Sequence, residues 1–324
     1  MCTAVNYSPD DHYFGRNLDL EFSYRESVVI TPRKFPFLFR EAPPLATHHA
    51  MIGMAYMVDG YPLYYDATNE AGLSMAGLNF PEYAVYQPER SDMDNIAPFE
   101  LIPWVLGRCT DLSQAQQCLS RLNLVDISFS PQLPNTPLHW IVSDANGSIA
   151  VEPLADGLRI HHNPVGVLTN TPPFDWHLTN LHNYLSLTCE TPENRFSGNL
   201  ELSPYSRGMG ALGLPGDWSS PSRFIRAAFL TQNSRSGPEE VSHVHQFFHI
   251  LSGVEMSRGC IHLGENQYER TIYSSCCNTR KGIYYYTTYE NRQITAVDLH
   301  QINPDSETPA SYPLWLEPQI HKQM

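Results

Sequence analysis

No stretch of the chain approaches the roughly 18 consecutive apolar residues that a membrane-spanning helix needs. No basic segment followed by an apolar run stands near the start, so no secretory leader is visible. Basic residues are scarce: 20 Lys and Arg stand against 34 Asp and Glu, a net charge of −14. That balance argues against nucleic acid or an anionic membrane surface as a partner, because both demand clustered cations. An anionic small molecule stays possible, since two or three local arginines can dominate a pocket. There is no Cys-x-x-Cys pair. The seven cysteines (Cys2, Cys109, Cys118, Cys189, Cys260, Cys276 and Cys277) are odd in number and scattered. This usage fits a reducing cytosol, and neither a disulfide framework nor a thiolate zinc site is expected. No internal repeat and no composition break divides the 324 residues, so one domain over residues 1–324 is expected, with 42% hydrophobic residues to fill its core.

Strand signals occupy both ends of the chain. Thr3–Tyr7, the turn cluster Ser8-Pro9-Asp10-Asp11, and Tyr13-Phe14 leading into Gly15-Arg16-Asn17 read as a hairpin that folds Arg16 and Asp19 back toward Cys2. Ser27–Thr31, Met51–Val58, Leu63–Tyr65 and Leu73–Leu78 follow as strands. Helical spacing appears over Pro98–Arg108, over Ser113–Leu122 with Asp111 as cap, and over Trp176–Leu187. A further helix opens at Ser220-Pro221 and runs to about Leu230. Another, Val241–Leu251, sets Val241, Val244, Phe248 and Leu251 on one side. Leu138–Ser143 and Ser148–Glu152 flank Asn146-Gly147, a strong hairpin signal. Leu158–His162, Val165–Thr169, Arg270–Cys276, Ile283–Tyr289 and Gln293–Leu299 complete the strands. Strand blocks around two pairs of helices predict an α+β fold in which two antiparallel sheets are covered by helices.

Cys2 directly follows Met1. A small second side chain allows methionine aminopeptidase to remove Met1, which would leave a thiol and a free α-amine on one residue. Such an amine has a reference pKa of about 7.7–8.0, so it can serve as the base that activates its own side chain. A thiol nucleophile also needs a nearby cation, a carboxylate to hold the amine and amide donors for an oxyanion. Arg16 and Asp19 lie one hairpin away; Asn79, Asn170 and Arg223 stand where strands end or a helix begins. Blander roles exist for each: an Arg16–Asp19 ion pair, asparagines as turn residues, and Arg223 paired with Asp217.

Two other patterns carry less. Gly208-x-Gly210-x-x-Gly213 has no strand before it and no helix opening within it, so it is not read as a dinucleotide site. His245 and His249 share a helix face, but no carboxylate motif accompanies them and they read as surface residues. The adjacent pairs His48-His49 and His161-His162 cannot both face one site on a strand.

Six motifs in order give a more specific signal: Met-Cys-Thr, Phe-Gly-Arg-Asn-Leu-Asp, Asn-Glu-x-Gly-Leu with Ala-Gly-Leu-Asn-Phe-Pro, Leu-Thr-Asn-x-Pro, Gly-Leu-Pro-Gly-Asp and Ser-Arg-Phe. Together they resemble the choloylglycine hydrolase family, which contains bile salt hydrolases and penicillin V acylases. The resemblance runs from Cys2 to about Leu299. It implies a four-layer αββα N-terminal-nucleophile fold and amide hydrolysis without metal or organic cofactor. By the same resemblance Cys2 is nucleophile and its amine the base, Arg16 polarises the thiol, and Asp19 holds the amine. Asn170 and the Asn79 backbone N–H form the oxyanion site, and Arg223 completes the polar cluster. Asn79 and the short segment between Arg108 and Leu138 favour the bile-salt group. The alternatives are a penicillin V acylase or a relative that binds bile acids without turnover. The resemblance places the sterol among Leu18, Phe22, Tyr24, Val58, Tyr65, Phe129, Leu133, Thr136 and Leu138, and implies a cytoplasmic homotetramer.

Overall fold

The computed structural model describes residues 1–323. β1 (Cys2–Tyr7) and β2 (Tyr13–Leu20) form the expected hairpin, with Cys2 opposite Leu18 and Ala4 opposite Arg16. β3 (Ser27–Thr31), β4 (Met51–Val58), β5 (Tyr61–Asn69) and β6 (Ser74–Asn79) follow as an antiparallel meander. A short β7 (Asp94–Ile96) precedes α1 (Leu101–Arg108) and α2 (Leu112–Leu119), and pairs in parallel with β8 (Leu122–Leu124). β9 (Leu138–Asp144), β10 (Gly147–Leu154) and β11 (Gly157–His162) make a second meander. The brief β12 (Val167–Leu168) then leads to α3 (Phe174–Leu181). Beyond a long loop come α4 (Ser220–Asn233) and α5 (Glu240–Ser252). The remaining strands are β13 (His262–Gly264), β14 (Gln267–Tyr268), β15 (Arg270–Asn278), β16 (Ile283–Thr288), β17 (Thr295–Asp298) and β18 (Ala310–Pro313).

Two large antiparallel sheets stack face to face. One runs β12-β1-β2-β15-β16-β17, the other β11-β10-β9-β6-β5-β4-β3-β18. Helices α4 and α5 pack on the first sheet, α1 and α2 on the second, and β1 and β2 face β6 between the sheets. The order of layers is therefore αββα, as expected.

The two-residue period of a strand explains why this stack holds. In the larger sheet Val28, Ile30, Ile141 and Ala150 point into the core shared with the other sheet. Their neighbours Val29, Trp140, Val142, Ile149 and Val151 point into a second core under α1 and α2. Both faces are apolar, so the strands read as hydrophobic runs. β2 approaches β15 so closely at Gly15 that a Cβ there would lie 1.9 Å from the Ser275 carbonyl oxygen. Only glycine fits, and the tight pairing seats the adjacent Arg16 between the sheets.

Several boundaries move from the sequence reading. Asp111 caps α2 by accepting from the Gln114 N–H at 2.9 Å, but the helix stops at Leu119, because Leu122–Leu124 find β7 as a strand partner. The helix expected at Trp176 begins at Phe174, whose N–H donates to the Glu152 carboxylate at 3.0 Å, and beyond Leu181 it tightens into a single 3-10 turn. Along α5, Val244, Phe248 and Leu251 are buried as expected, but Val241 is 68% exposed. The buried arc centres on Val244, Phe247 and Leu251, and Val241 falls outside it. No helix among the described residues is long and apolar enough to cross a membrane.

Candidate active site

β1 opens at Cys2, whose side chain is 3% exposed at the edge of the inter-sheet core. Its backbone N–H donates to Asn170 Oδ1 at 2.9 Å. Asn170 follows β12, the strand that borders β1, so sheet pairing brings the two residues together across 168 positions. Arg223, in the first turn of α4 and fully buried, ties the pair down. Its Nη2 donates to Asn170 Oδ1 at 2.7 Å, its Nη1 to the Cys2 carbonyl and to Thr3 Oγ1, and its Nε to the Trp218 carbonyl at 2.9 Å. Two donors on Oδ1 fix which end of the Asn170 amide is oxygen. Nδ2 then donates to the Asn79 carbonyl at 2.7 Å and keeps a second N–H. Ser220 and His177 hold the Asn170 backbone: its N–H donates to Ser220 Oγ at 2.9 Å, and its carbonyl accepts from His177 Nε2 at 3.1 Å.

Arg16 lies beneath Cys2 with no exposure. Its Nη1 donates to the Tyr65 carbonyl at 3.1 Å and to the Gly77 carbonyl, while Nη2 has no partner among the described residues. Burial alone would lower its pKa, but Cys2, Tyr273, Asp66 and Asp19 together raise it, so the guanidinium stays charged. Asp66 in turn accepts from Tyr273 Oη at 2.7 Å and Tyr284 Oη at 2.6 Å. Asp19 accepts from Thr271 Oγ1 at 2.6 Å on one oxygen, and its other oxygen, also buried, has no partner among the described residues. Burial pushes the Asp19 pKa up; Arg223 and the chain's amino group pull it back. The Met1 amine donates to the Asp19 carbonyl at 2.6 Å and forms an ion pair with buried Glu269.

All six polar residues singled out from the sequence thus lie in one connected neighbourhood. Arg223 does not pair with Asp217, whose oxygens take the Ser219 N–H and the Ser222 hydroxyl. Sequence reasoning missed Thr271, Glu269, Ser220, His177 and the Tyr65 and Gly77 carbonyls. A backbone acceptor leaves no mark on a sequence, and Thr271 and Glu269 reach the site only through the β2–β15 pairing.

The apolar residues named for a sterol divide into groups. Leu18 and Tyr65 pack with the inter-sheet core near Cys2. Phe22 and Tyr24 stand 48% and 40% exposed on the loop after β2, rings 4.8 Å apart, with Tyr56 6.1 Å from Tyr24. Val58 is half-buried at the end of β4. Phe129 meets Phe99 edge-on at 5.3 Å and lies tilted against Tyr61 at 5.7 Å. Leu138 leans on the core under α1 and α2; half-buried Leu133 and exposed Thr136 lie in the loop before it. Tyr86 clamps that loop, its hydroxyl donating to the Thr136 carbonyl at 2.6 Å and accepting from the Leu138 N–H at 2.9 Å. His245 and His249 are exposed on α5.

Burial holds His12 and His177 near pKa 4, below the usual 6.5. The unfolded chain therefore binds protons between pH 6.5 and 4 that the folded chain refuses. Stability falls with pH across that window, by about 3 kcal/mol per histidine. Asp19 and Asp66, raised by burial, oppose the trend. Denaturant midpoints at pH 7 and 4.5 should differ less for His177→Gln than for the unaltered protein; equal slopes would remove the neutral buried histidine.

The family model of linear amide C–N hydrolases, choloylglycine hydrolase family, matches residues 2–312. The chain is 53% identical to a bile salt hydrolase/transferase of Lactiplantibacillus plantarum over 99% of each protein. Among solved structures it resembles a Cys2→Ala mutant of the Clostridium perfringens conjugated bile acid hydrolase, at 38% identity, TM-score 0.91 and 99% coverage of both chains. Penicillin V acylase from Agrobacterium tumefaciens matches at 19% identity and TM-score 0.73, covering 95% of this chain and 89% of the acylase; that likeness speaks for the fold alone.

Proposed function

The chain belongs to the choloylglycine hydrolase family of linear amide hydrolases, and from that premise we propose that it cleaves the amide bond of glycine- or taurine-conjugated bile salts, with Cys2 as nucleophile once Met1 is removed. The observation that carries this reading is the lock on Cys2: Asn170 Oδ1 receives its nitrogen and Arg223 its carbonyl. Removing Met1 would turn that nitrogen into an α-amine already oriented by Asn170. Asp19, whose second buried oxygen has no partner among the described residues, would hold the amine's charge.

The thiolate attacks the substrate carbonyl carbon, and the carbonyl electrons move onto oxygen. Asn170 Nδ2, through its second N–H, and the Asn79 backbone N–H receive that oxyanion. One such donor is typically worth about 10²–10³ in turnover. The α-amine, having taken the thiol proton, gives it to the leaving nitrogen as the C–N bond breaks. Water, deprotonated by the same amine, then hydrolyses the thioester and restores the thiol. Some relatives are named hydrolase/transferase; an amine replacing water at the second step would form a new amide. Arg16, fixed by two carbonyls with one nitrogen free, supplies the cation beside the thiolate.

Phe22 and Tyr24 offer exposed rings to an apolar ligand, a contact of order 25 cal/mol per Å² buried. A homotetramer of this domain, in the cytoplasm, belongs to the same reading. Leu185, Phe196, Tyr205 and Leu212 are each at least 66% exposed along the loop before α4, a pattern that fits contact with other copies. The test is an assay with glycocholate, taurocholate and penicillin V beside an intact mass. Bile-salt turnover by protein lacking Met1 supports the proposal. Preference for penicillin V would make it an acylase, and turnover of none would leave a binding protein.

A further inference from the structure

Behind the Asn79–Asn170 contact lies a histidine–glutamate pair with no exposure. His139 on β9 and Glu152 on β10 are both fully buried, and Nδ1 of His139 sits 3.1 Å from Glu152 Oε1. The other ring nitrogen, Nε2, faces the carbonyl oxygen of Thr169 at 3.0 Å. Glu152 Oε1 also accepts the Phe174 N–H at 3.0 Å, at the start of α3, where the helix dipole favours a negative group. His161 on β11 approaches Oε2 at 3.5 Å. These contacts outweigh the cost of burial and hold the Glu152 pKa down at about 2, so the carboxylate is ionised.

The donor count then settles the state of the ring. A carbonyl oxygen and a carboxylate only accept, so each nitrogen of His139 must carry a hydrogen. A neutral ring would set a lone pair against one of these oxygens, inside the protein, where an unmade hydrogen bond costs most. Phe80 lies flat on the ring, centroids 4.2 Å apart and planes 6° off parallel, the placement in which an aromatic face attracts a cation.

We propose that His139, as an imidazolium paired with Glu152, is the positioning residue that sets both halves of the oxyanion site. Its Nε2 anchors the carbonyl of the residue preceding Asn170, and its stacking partner is the residue following Asn79. Glu152 extends the same hold to α3, which carries His177 and, through it, the Asn170 carbonyl. Asp175 and Arg159 are the other charged groups near His161. Arg223, His139 and Glu152 are the charged groups that act on His177. This assignment deepens the proposed amide hydrolysis, because it concerns where the acceptor of negative charge stands.

Two measurements test it. The first needs no substrate: side-chain ¹⁵N spectra of histidine-labelled protein at pH 7. His139 should show both ring nitrogens protonated, and Glu152→Gln should convert it to a ring with one, since a glutamine amide can donate to a bare Nδ1. The second is kinetic. His139→Phe keeps the ring's shape but leaves Thr169 and Glu152 unpaired, and should lower kcat about 10–100-fold with KM within threefold. Glu152→Leu should lose as much, while Glu152→Gln, whose amide can serve either a bare Nδ1 or the Phe174 N–H at that position but not both, should fall between Glu152→Leu and the unaltered enzyme. A singly protonated His139 in the unaltered protein would overturn the ion pair even if the enzyme proves inactive on bile salts. Unchanged kcat in His139→Phe would overturn the positioning role.

Discussion

Protein carrying Cys2→Ala should fold, lose Met1 and bind conjugated bile salt, yet turn it over roughly 10⁴–10⁶ times more slowly than the unaltered chain. The structural cost is one sulfur at a residue that is 3% exposed and keeps its backbone bonds to Asn170 and Arg223. Alanine and serine are both small enough to permit Met1 removal, so the α-amine survives in either variant. Cys2→Ser isolates the thiol from that amine. A hydroxyl beside Arg16 remains protonated where a thiol ionises, and its rate should lie far nearer to alanine than to cysteine. Single-turnover rates with glycocholate, with unfolding midpoints as control, decide the matter. A serine enzyme at unaltered speed would refute the thiolate.

Arg223→Met should fail in a different way. The guanidinium serves the Cys2, Thr3, Asn170 and Trp218 oxygens at once, and faces the buried Asp19 carboxylate. Methionine fills similar space but removes the guanidinium donors from those oxygens, leaving Asn170 Oδ1 only the Cys2 N–H, and leaves the carboxylate without its counter-charge. Breaking a buried charge pair from one side typically costs about 3–5 kcal/mol. Turnover should fall at least as far as loss of an oxyanion donor would take it, about 10²–10³, since Asn170 is then held by fewer bonds. Arg226→Met, one turn along α4, is the control: that side chain is half-buried and meets only the Pro215, Asp217 and Gly253 carbonyls. Its loss should cost near 1 kcal/mol and little activity. Arg223→Lys keeps the charge but not the planar fork and should fall between the two. Equal stability of Arg223→Met and Arg226→Met would contradict the role assigned to the buried cluster.

Local patterns were legible in the sequence and long-range pairings were not. The hairpin joining β1 to β2, the one joining β9 to β10, and the Asp111 cap each follow from a few adjacent residues with turn or cap chemistry. The helical spacing over Ser113–Leu122 runs into the first residue of the Leu122–Leu124 strand, because a leucine fits either period; β7, outside the window, decides it. Val241 fits the helical stripe by spacing, and only the place where α5 rests on its sheet excludes it. The six polar site residues were readable through their order along the chain. Their supports were not, since Arg16 binds main-chain oxygens and Asp19 meets Thr271 from a strand 252 residues away. Leu138 and Phe129 have the apolar character of a sterol wall; that their core and ring partners lie on the α1–α2 side is set by long-range packing, which spacing does not carry.

The ion pair between the Met1 amine and Glu269 has a consequence for timing. The two groups are separated by 268 positions, and a ribosome adding about 5–20 residues per second needs roughly 15–50 s to span them. During that interval the Met1 amine has only the nearby Asp19 carbonyl and lacks its ion partner, and an exopeptidase can reach it. Once Glu269 has emerged and β15 has docked beside β2, the same end is clasped. Maturation is therefore a race against the chain's own completion, won early because the last strand of the pair is made so late.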